Sequence, residues 1–334
     1  MIEIEIEKRL PIIGITMGDA AGIGPEVIVK ALSTDSLYRK LRPVVIGDAS
    51  VLDSTAKQLG KSIKVTRYLA SMTPPAGAIE VIDLNNLQSE IALGTVSSDA
   101  GKAAGEYIEK AVELWSEGAI DAICTAPINK ESLSAGGYDF PGHTEFLAKL
   151  TNTEIFAMSF FADKLRVVLL STHLPLSEAI GNVKKDALIG LIKFTDKALS
   201  TLLKKNAKIA VAGLNPHASE GGKFGNEETT EIEPAIQECI ELGIDVSGPY
   251  SPDTVFIRGF KGEFDAVIAH YHDQATIPVK ALSFGSAVNV TLGLPLVRTS
   301  VDHGTAFDIA GKGIADESSM KAAIGLAAEL AQVR

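Results

Sequence analysis

Ile12-Ile13-Gly14-Ile15-Thr16-Met17-Gly18-Asp19-Ala20-Ala21-Gly22-Ile23-Gly24-Pro25-Glu26 is the stretch on which the fold turns. A short apolar run ends in a glycine-bearing turn and gives way to a segment opened by proline, which suits a first helical position. Strand, glycine turn and helix in that order predict an α/β unit with a parallel strand. The turn exposes backbone N–H groups of the kind that bind anions. Its spacing is Gly-x-x-x-Gly-x-Gly, however, and not the Gly-x-Gly-x-x-Gly of dinucleotide folds. Asp19 and Glu26 would also repel a phosphate set beside them. A tight strand-to-helix turn explains the glycines equally well.

Outward from this stretch the same alternation recurs. Further strands are predicted at 44–46, 122–125, 167–171, 209–212, 266–269 and 287–291. Helices are predicted at 100–116, 186–204, 231–241 and 317–332, the second of these with Leu188, Leu191 and Ile192 at helical spacing. The fold class is therefore α/β with a mainly parallel sheet, and 334 residues make two domains the default expectation. Thr144, just ahead of an apolar segment, can cap a helix or touch a substrate.

Hydrophobic residues form 46% of the chain and charged residues 22%, the balance of a globular protein with a large core. The net charge of −11 argues against a nucleic-acid groove or an anionic membrane surface. An anionic substrate must then be caught by a few local cations. Cys124 and Cys239 are too few for a disulfide framework and read as buried thiols. The first ten residues alternate apolar and acidic side chains, unlike a signal peptide, and no apolar run reaches membrane-spanning length. A cytoplasmic protein is expected.

All six histidines lie in short polar motifs that carry Gly or Pro or interrupt apolar runs: His143, His173, His217, His270, His272 and His303. Such settings suit rings held by a scaffold and aimed at a partner. His173, His217 and His272 each follow a predicted strand, so parallel pairing can bring them to one edge as a three-imidazole site for a catalytic divalent metal. His270, two residues before His272, points to the opposite face if the strand continues. Lys280, Asn289 and Arg298 lie in an otherwise apolar region, where the two cations need anionic partners or a bound phosphate or carboxylate. In Asp302-His303-Gly304-Thr305-Ala306-Phe307-Asp308-Ile309-Ala310-Gly311-Lys312-Gly313, Asp308 can accept from a ribose 2′-hydroxyl, favouring NAD over NADP. A purely structural loop is the alternative.

Taken in order, the motifs from Gly18-Asp19 to Glu26, Thr125 to Lys130, Gly142 to Glu145, Thr172-His173, Asn215-Pro216-His217, Tyr271-His272-Asp273-Gln274 and Asn289 through Gly313 resemble the 4-hydroxythreonine-4-phosphate dehydrogenase (PdxA) family. Two of them also look like those of isocitrate and isopropylmalate dehydrogenases. The resemblance implies two α/β/α domains with an interdomain cleft: residues 1–127 plus 275–334 carrying the NAD loop, and 128–274 carrying metal ligands and dimer contacts. It implies a homodimer with its site at the subunit interface and one divalent metal (Zn, Co, Mn or Mg) per subunit on His173, His217 and His272. Substrate contacts are implied for His143, Thr144, Lys280, Asn289 and Arg298. NAD contacts are implied around His303, Gly304, Asp308 and Gly311.

The implied chemistry is NAD- and metal-dependent oxidation of the C3 hydroxyl of 4-hydroxythreonine 4-phosphate, then decarboxylation to 3-amino-2-oxopropyl phosphate in pyridoxal phosphate biosynthesis. Asp253, Asp273 and Lys280 are all candidates for the base. One departure bears on the substrate. After Tyr271-His272-Asp273-Gln274 the biosynthetic enzymes usually continue with glycine, whereas this chain has Ala275-Thr276-Ile277-Pro278. With Phe307-Asp308, this is closer to the branch acting on 4-phospho-D-threonate or 4-phospho-D-erythronate in sugar-acid catabolism. A metal-dependent phosphoester hydrolase is the rival from another class, and it has no use for the Asp308 loop. A non-catalytic dimer with a structural metal is a further rival, but such sites are usually closed by four ligands, often cysteines.

Overall fold

A computed structural model describes residues 9–70, 77–87, 91–283 and 285–333. The alternating segment at 1–8 lies outside them. The chain divides into two compact units, Met1–Thr151 with Leu296–Gln332, and Asn152–Pro295 with the last two residues.

In the first unit, chain order runs β1 (Ile12–Thr16), α1 (Gly24–Leu32), β2 (Arg42–Gly47), α2 (Ala49–Gln58), β3 (Lys64–Arg67), β4 (Ala78–Asp83), α3 (Ser98–Ser116), β5 (Ala122–Thr125), α4 (Lys130–Ala135) and α5 (His143–Leu150). The returning chain of that unit adds β12 (Arg298–Ser300) and α11 (Ser318–Val333). Its strands are ordered β3-β4-β2-β1-β5-β12 and all pair in parallel. Every residue of β1 and β5 is buried, as parallel strands covered on both faces require. The register sets Thr16, Thr125 and Ser300 side by side at the strand C-termini. Local chemistry starts the helices. Ser97 caps α3 by accepting from the Ala100 N–H, and Asn129 caps α4 by accepting from the Ser132 N–H at 2.8 Å.

The second unit runs β6 (Ala157–Ala162), β7 (Leu165–Leu169), α6 (Leu176–Gly181), α7 (Lys185–Leu203), β8 (Ile209–Ala212), α8 (Glu233–Glu241), β9 (Val246–Tyr250), α9 (Val255–Phe260), β10 (Ala266–Ala269), α10 (His272–Leu282) and β11 (Val288–Leu292). Strand order is β11-β6-β7-β10-β8-β9. The pairs involving β6 are antiparallel, and β7, β10, β8 and β9 run parallel. The core at this sheet joins Val167, Leu169, Val267, Ala269, Phe256 and Val279.

The boundaries differ from those expected at 128 and 275. Helices α4 and α5 pack on α3, which keeps residues up to Thr151 in the first unit. Helix α10 packs on β6 and β7, and β11 pairs with β6, so residues up to Pro295 belong to the second. Several elements were not expected, each for a local reason. The edge strand β3 has charged ends, β9 contains Gly248-Pro249, β12 has three residues, and α10 holds Pro278 inside it. Thr144 does not cap α5. Gly142 occupies the cap and His143 is the first helical residue. Among the described residues no helix is long and apolar enough to cross a membrane.

Candidate functional site

The glycine turn after β1 is a packing device. A Cβ on Gly18 would lie 2.4 Å from the Pro127 carbonyl, and Gly18 has φ +74°. A Cβ on Gly22 would lie 2.9 Å from the Thr305 Cβ, and the adjoining Ile23 N–H donates to the Thr305 carbonyl at 3.0 Å. Gly18 thus lets the segment after β5 approach the turn, and Gly22 lets the 303–313 loop close onto it. Gly22→Ala is expected to lower unfolding free energy by about 1–3 kcal/mol through overpacking, read from urea denaturation. Wild-type stability would mean that the loop can withdraw from the turn.

Glu26 and Lys30 fasten the far end of the same loop. The Glu26 carboxylate accepts from the Ala315 N–H at 2.8 Å, while Lys30 donates to the Gly313 and Ala315 carbonyls. The pair is itself joined at 2.9 Å and mostly buried. Glu26 therefore serves the loop. A cavity of about 350 Å³ opens beside it, lined among others by Gly22, Glu26, Ser50, Gln58, Leu93 and Gly311. Gly311, at φ +74°, leaves room that a Cβ would take from Leu93 at 2.4 Å. Of the residues expected at NAD, Gly311 lines this space; His303, Gly304 and Asp308 do not. Asp308 and Gly304 are exposed, and His303 has its Nδ1 3.0 Å from the Gly304 carbonyl, with Nε2 buried and lacking a hydrogen-bond partner.

The strand ends of the first unit also hold a cation. Arg298 is 3% exposed and donates from Nη2 to Thr125 Oγ1 at 2.8 Å. The Thr125 hydroxyl in turn donates to Ser300 Oγ at 2.9 Å. Burial pushes the guanidinium down to about 10, with Glu145 opposing, so it stays charged at neutral pH. His143 lies within the field of Arg298. Burial and that cation together hold its pKa well below the ordinary range. The ring bonds to the Ala126 carbonyl, leaving a buried Nε2 with no hydrogen-bond partner. His143 is thus a neutral acceptor beside a fixed positive charge. Thr144 follows it on α5.

In the second unit the three motif histidines stand at the C-terminal ends of three neighbouring parallel strands. His173 follows β7, His272 follows β10 and His217 follows β8, in the order β7-β10-β8. The rings of His173 and His272 have centroids 5.7 Å apart. Asp273 Oδ1 lies 2.7 Å from His272 Nδ1, an arrangement that leaves Nε2 for another partner. His217 is near Asp253, whose carboxyl is lowered mainly by the Ser251 hydroxyl and slightly by this histidine. Among the described residues, however, no three His, Cys, Asp or Glu side chains converge into one metal-sized group. The structure thus brings together two of the three expected ligands. His217 stands apart on a turn of left-handed backbone, with φ +53° at His217 and +52° at Ala218.

The other expected residues of this unit are spread out. Lys280 is exposed in the last turn of α10. Asn289 sits on β11 opposite Phe160, with its Oδ1 buried and lacking a hydrogen-bond partner. Asp253 and Asp273 are both exposed.

His270 and Gln274 form a buried polar layer at the ends of β8 and β10. His270 is fully buried, and its Nε2 is 2.7 Å from the Ala212 carbonyl. Gln274 accepts from the His270 N–H and donates to the Gly213 carbonyl, both at 2.7 Å. The ends of β8 and β10 are thereby tied together. Burial lowers His270 to about 4, so the unfolded chain binds a proton that the folded one refuses between there and the ordinary value near 6.5. This contribution is full above about pH 6.5 and is lost as pH falls toward 4. The loss is about 3 kcal/mol. Urea unfolding near pH 7 and near pH 4 should show that slope reduced in His270→Gln, which keeps a donor for Ala212. Equal slopes in both proteins would assign the acid sensitivity to other groups.

The family model for the pyridoxal phosphate biosynthetic protein PdxA matches residues 39–327. A D-threonate 4-phosphate dehydrogenase of Cupriavidus necator is 49% identical over 97% of this chain and 98% of its own. A crystal structure of a 4-hydroxythreonine-4-phosphate dehydrogenase from Burkholderia phymatum superposes with a TM-score of 0.85 at 48% identity, covering 97% of this chain and 99% of that one. Another, from Klebsiella pneumoniae, has a TM-score of 0.89 at 41% identity and covers 96% of this chain and 100% of that one. A single family model spanning both units, and relatives matched over almost their whole length, make this chain a member of the PdxA family.

Proposed function

We propose that the protein is an NAD- and divalent-metal-dependent dehydrogenase of D-threonate 4-phosphate. The observation that carries the reading is the row of His173, His272 and His217 at three neighbouring strand ends. Imidazoles on neighbouring strands, one of them oriented by a carboxylate, form a donor set that suits zinc, cobalt or manganese. When bound, such a metal supplies Lewis acidity at the substrate oxygen, and NAD⁺ supplies a hydride acceptor.

The chain's own residues do the rest. Arg298, kept charged and desolvated, holds the phosphate or carboxylate. His143 offers a lone pair and no charge, so it reads a substrate hydroxyl and does not compete with Arg298 for the anion. The C3 alcohol loses a proton from oxygen and a hydride from carbon. The resulting β-keto acid then releases C1 as CO₂, its bonding pair passing to C2, which is reprotonated to dihydroxyacetone phosphate. Asp253, Asp273 and Lys280 are the candidates for moving the alcohol proton.

Two observations favour threonate: the relative from Cupriavidus necator, and Ala275 in place of the usual glycine after Gln274. A second reading, 4-hydroxythreonine 4-phosphate, is supported by the names of the two solved structures. NADH formation with each substrate, in the presence of Zn²⁺, Mn²⁺ or Mg²⁺, separates them. Turnover of threonate 4-phosphate alone supports the first reading, and turnover of the amino compound alone supports the second. No NADH with either substrate overturns both, and metal-dependent phosphate release without NADH would place the protein among hydrolases.

A further inference from the structure

His217 is carried by an unusual backbone. Four consecutive non-glycine residues, His217, Ala218, Ser219 and Glu220, have φ of +53°, +52°, +63° and +46°. Each such residue is held only where its surroundings over-determine it, at a cost of about 1–3 kcal/mol. One buried side chain holds the lead-in to this turn. Glu228 is 0% exposed, although it is a carboxylate. Its Oε1 accepts from the Leu214 N–H at 2.8 Å and the Asn215 N–H at 2.7 Å, and its Oε2 accepts from Asn215 Nδ2 at 2.9 Å. A buried carboxylate is expensive unless its lone pairs are filled, and here the lead-in to the His217 turn fills them. Gly213 completes the fit. A Cβ there would lie 2.9 Å from Ala218 and 3.3 Å from Glu228 Oε1, so both the turn and the carboxylate pack closely against this glycine.

We infer that Glu228 is the positioning residue for His217, its buried carboxylate fixing the Leu214–Asn215 lead-in to the left-handed turn from which the imidazole would join a metal held with His173 and His272; this rests on the metal-site reading above. Glu228 touches neither substrate nor metal in this role. It acts through Leu214 and Asn215.

The test uses the full chain stripped of metal and titrated with Mn²⁺ alone, in wild type and in Glu228→Gln, Asn215→Ala, Glu231→Gln and His217→Ala. Glu231, on the same segment as Glu228, binds Lys184 and the Lys185 N–H instead and serves as the control. Glu228→Gln should weaken Mn²⁺ binding by about 10–100-fold, Asn215→Ala in the same direction, and Glu231→Gln not at all. With Mn²⁺ saturating, kcat of Glu228→Gln should return to within a few-fold of wild type, because the ligand itself remains. Amide exchange at Leu214 and Asn215 in the metal-free protein should quicken in Glu228→Gln. If Glu228→Gln does not fold, Asn215→Ala carries the test. Wild-type affinity in Glu228→Gln, or in Asn215→Ala when it stands in, overturns the positioning role. Wild-type affinity in His217→Ala instead overturns the metal-site reading on which it rests.

Discussion

Arg298→Met is expected to lower kcat/KM by roughly two to three orders of magnitude while leaving the fold intact. The two halves of this expectation have the same origin. Arg298 is almost fully buried on β12, and burial, opposed in part by Cys124 and Glu145, pulls its pKa down to about 10. Desolvating that charge costs the folded state several kcal/mol, which Thr125 and Glu145 offset only in part. Methionine fills a similar volume with no charge to desolvate, so urea stability should change by less than about 2 kcal/mol or even rise. What disappears is the fixed cation for an anionic substrate. Arg298→Lys should restore little, because a single ammonium cannot reproduce the planar fork that reaches Thr125 and a bound anion together. Steady-state kinetics with urea denaturation on the same samples decides the matter. Unchanged kcat/KM would remove Arg298 from the site, and collapse of the fold would make it a structural residue.

His272→Ala should be at least as severe, with metal binding and turnover both falling about a thousandfold or more. His272 begins α10, next to His173, and is oriented by Asp273. Asp273→Asn leaves the ring in place and weakens only its partner, so a loss of about 10–100-fold is expected there. The ratio between the two variants is the informative quantity. A ligand and its orienting carboxylate give a large and a small effect on metal affinity. If Asp273 is instead the base, Asp273→Asn lowers kcat strongly and leaves metal affinity at its wild-type value. Calorimetric Mn²⁺ titration beside turnover distinguishes these outcomes.

Much of this architecture was legible from local pattern. The strands at 122–125, 209–212 and 266–269 agree with the structure at both ends, because each is a short, mainly apolar run preceded by a charged residue and followed closely by a turn-forming or polar one. Helix 185–203 was legible from its spacing of Leu188 and Ile192. The edge strand β3 and the proline-bearing α10 were not, since their stability comes from neighbours and not from their own propensity. The candidate site divides in the same way. Residue type and place after a strand marked His173, His217 and His272. No periodicity or motif marked Glu228, whose three hydrogen bonds reach back more than a dozen residues along the chain.

Periodicity and ordered motifs dictate the α/β class, the parallel strands, the family and the residue types that can do the chemistry. Only folding set where the units divide, that Gly22 makes room for the 303–313 loop, that Arg298 and His143 share one environment, and that Glu228 holds the lead-in to the His217 turn. The physical reason is range. Hydrophobic period and turn chemistry act over a few residues, whereas desolvation, charge pairing and close backbone approach depend on atoms that only folding brings within a few ångströms.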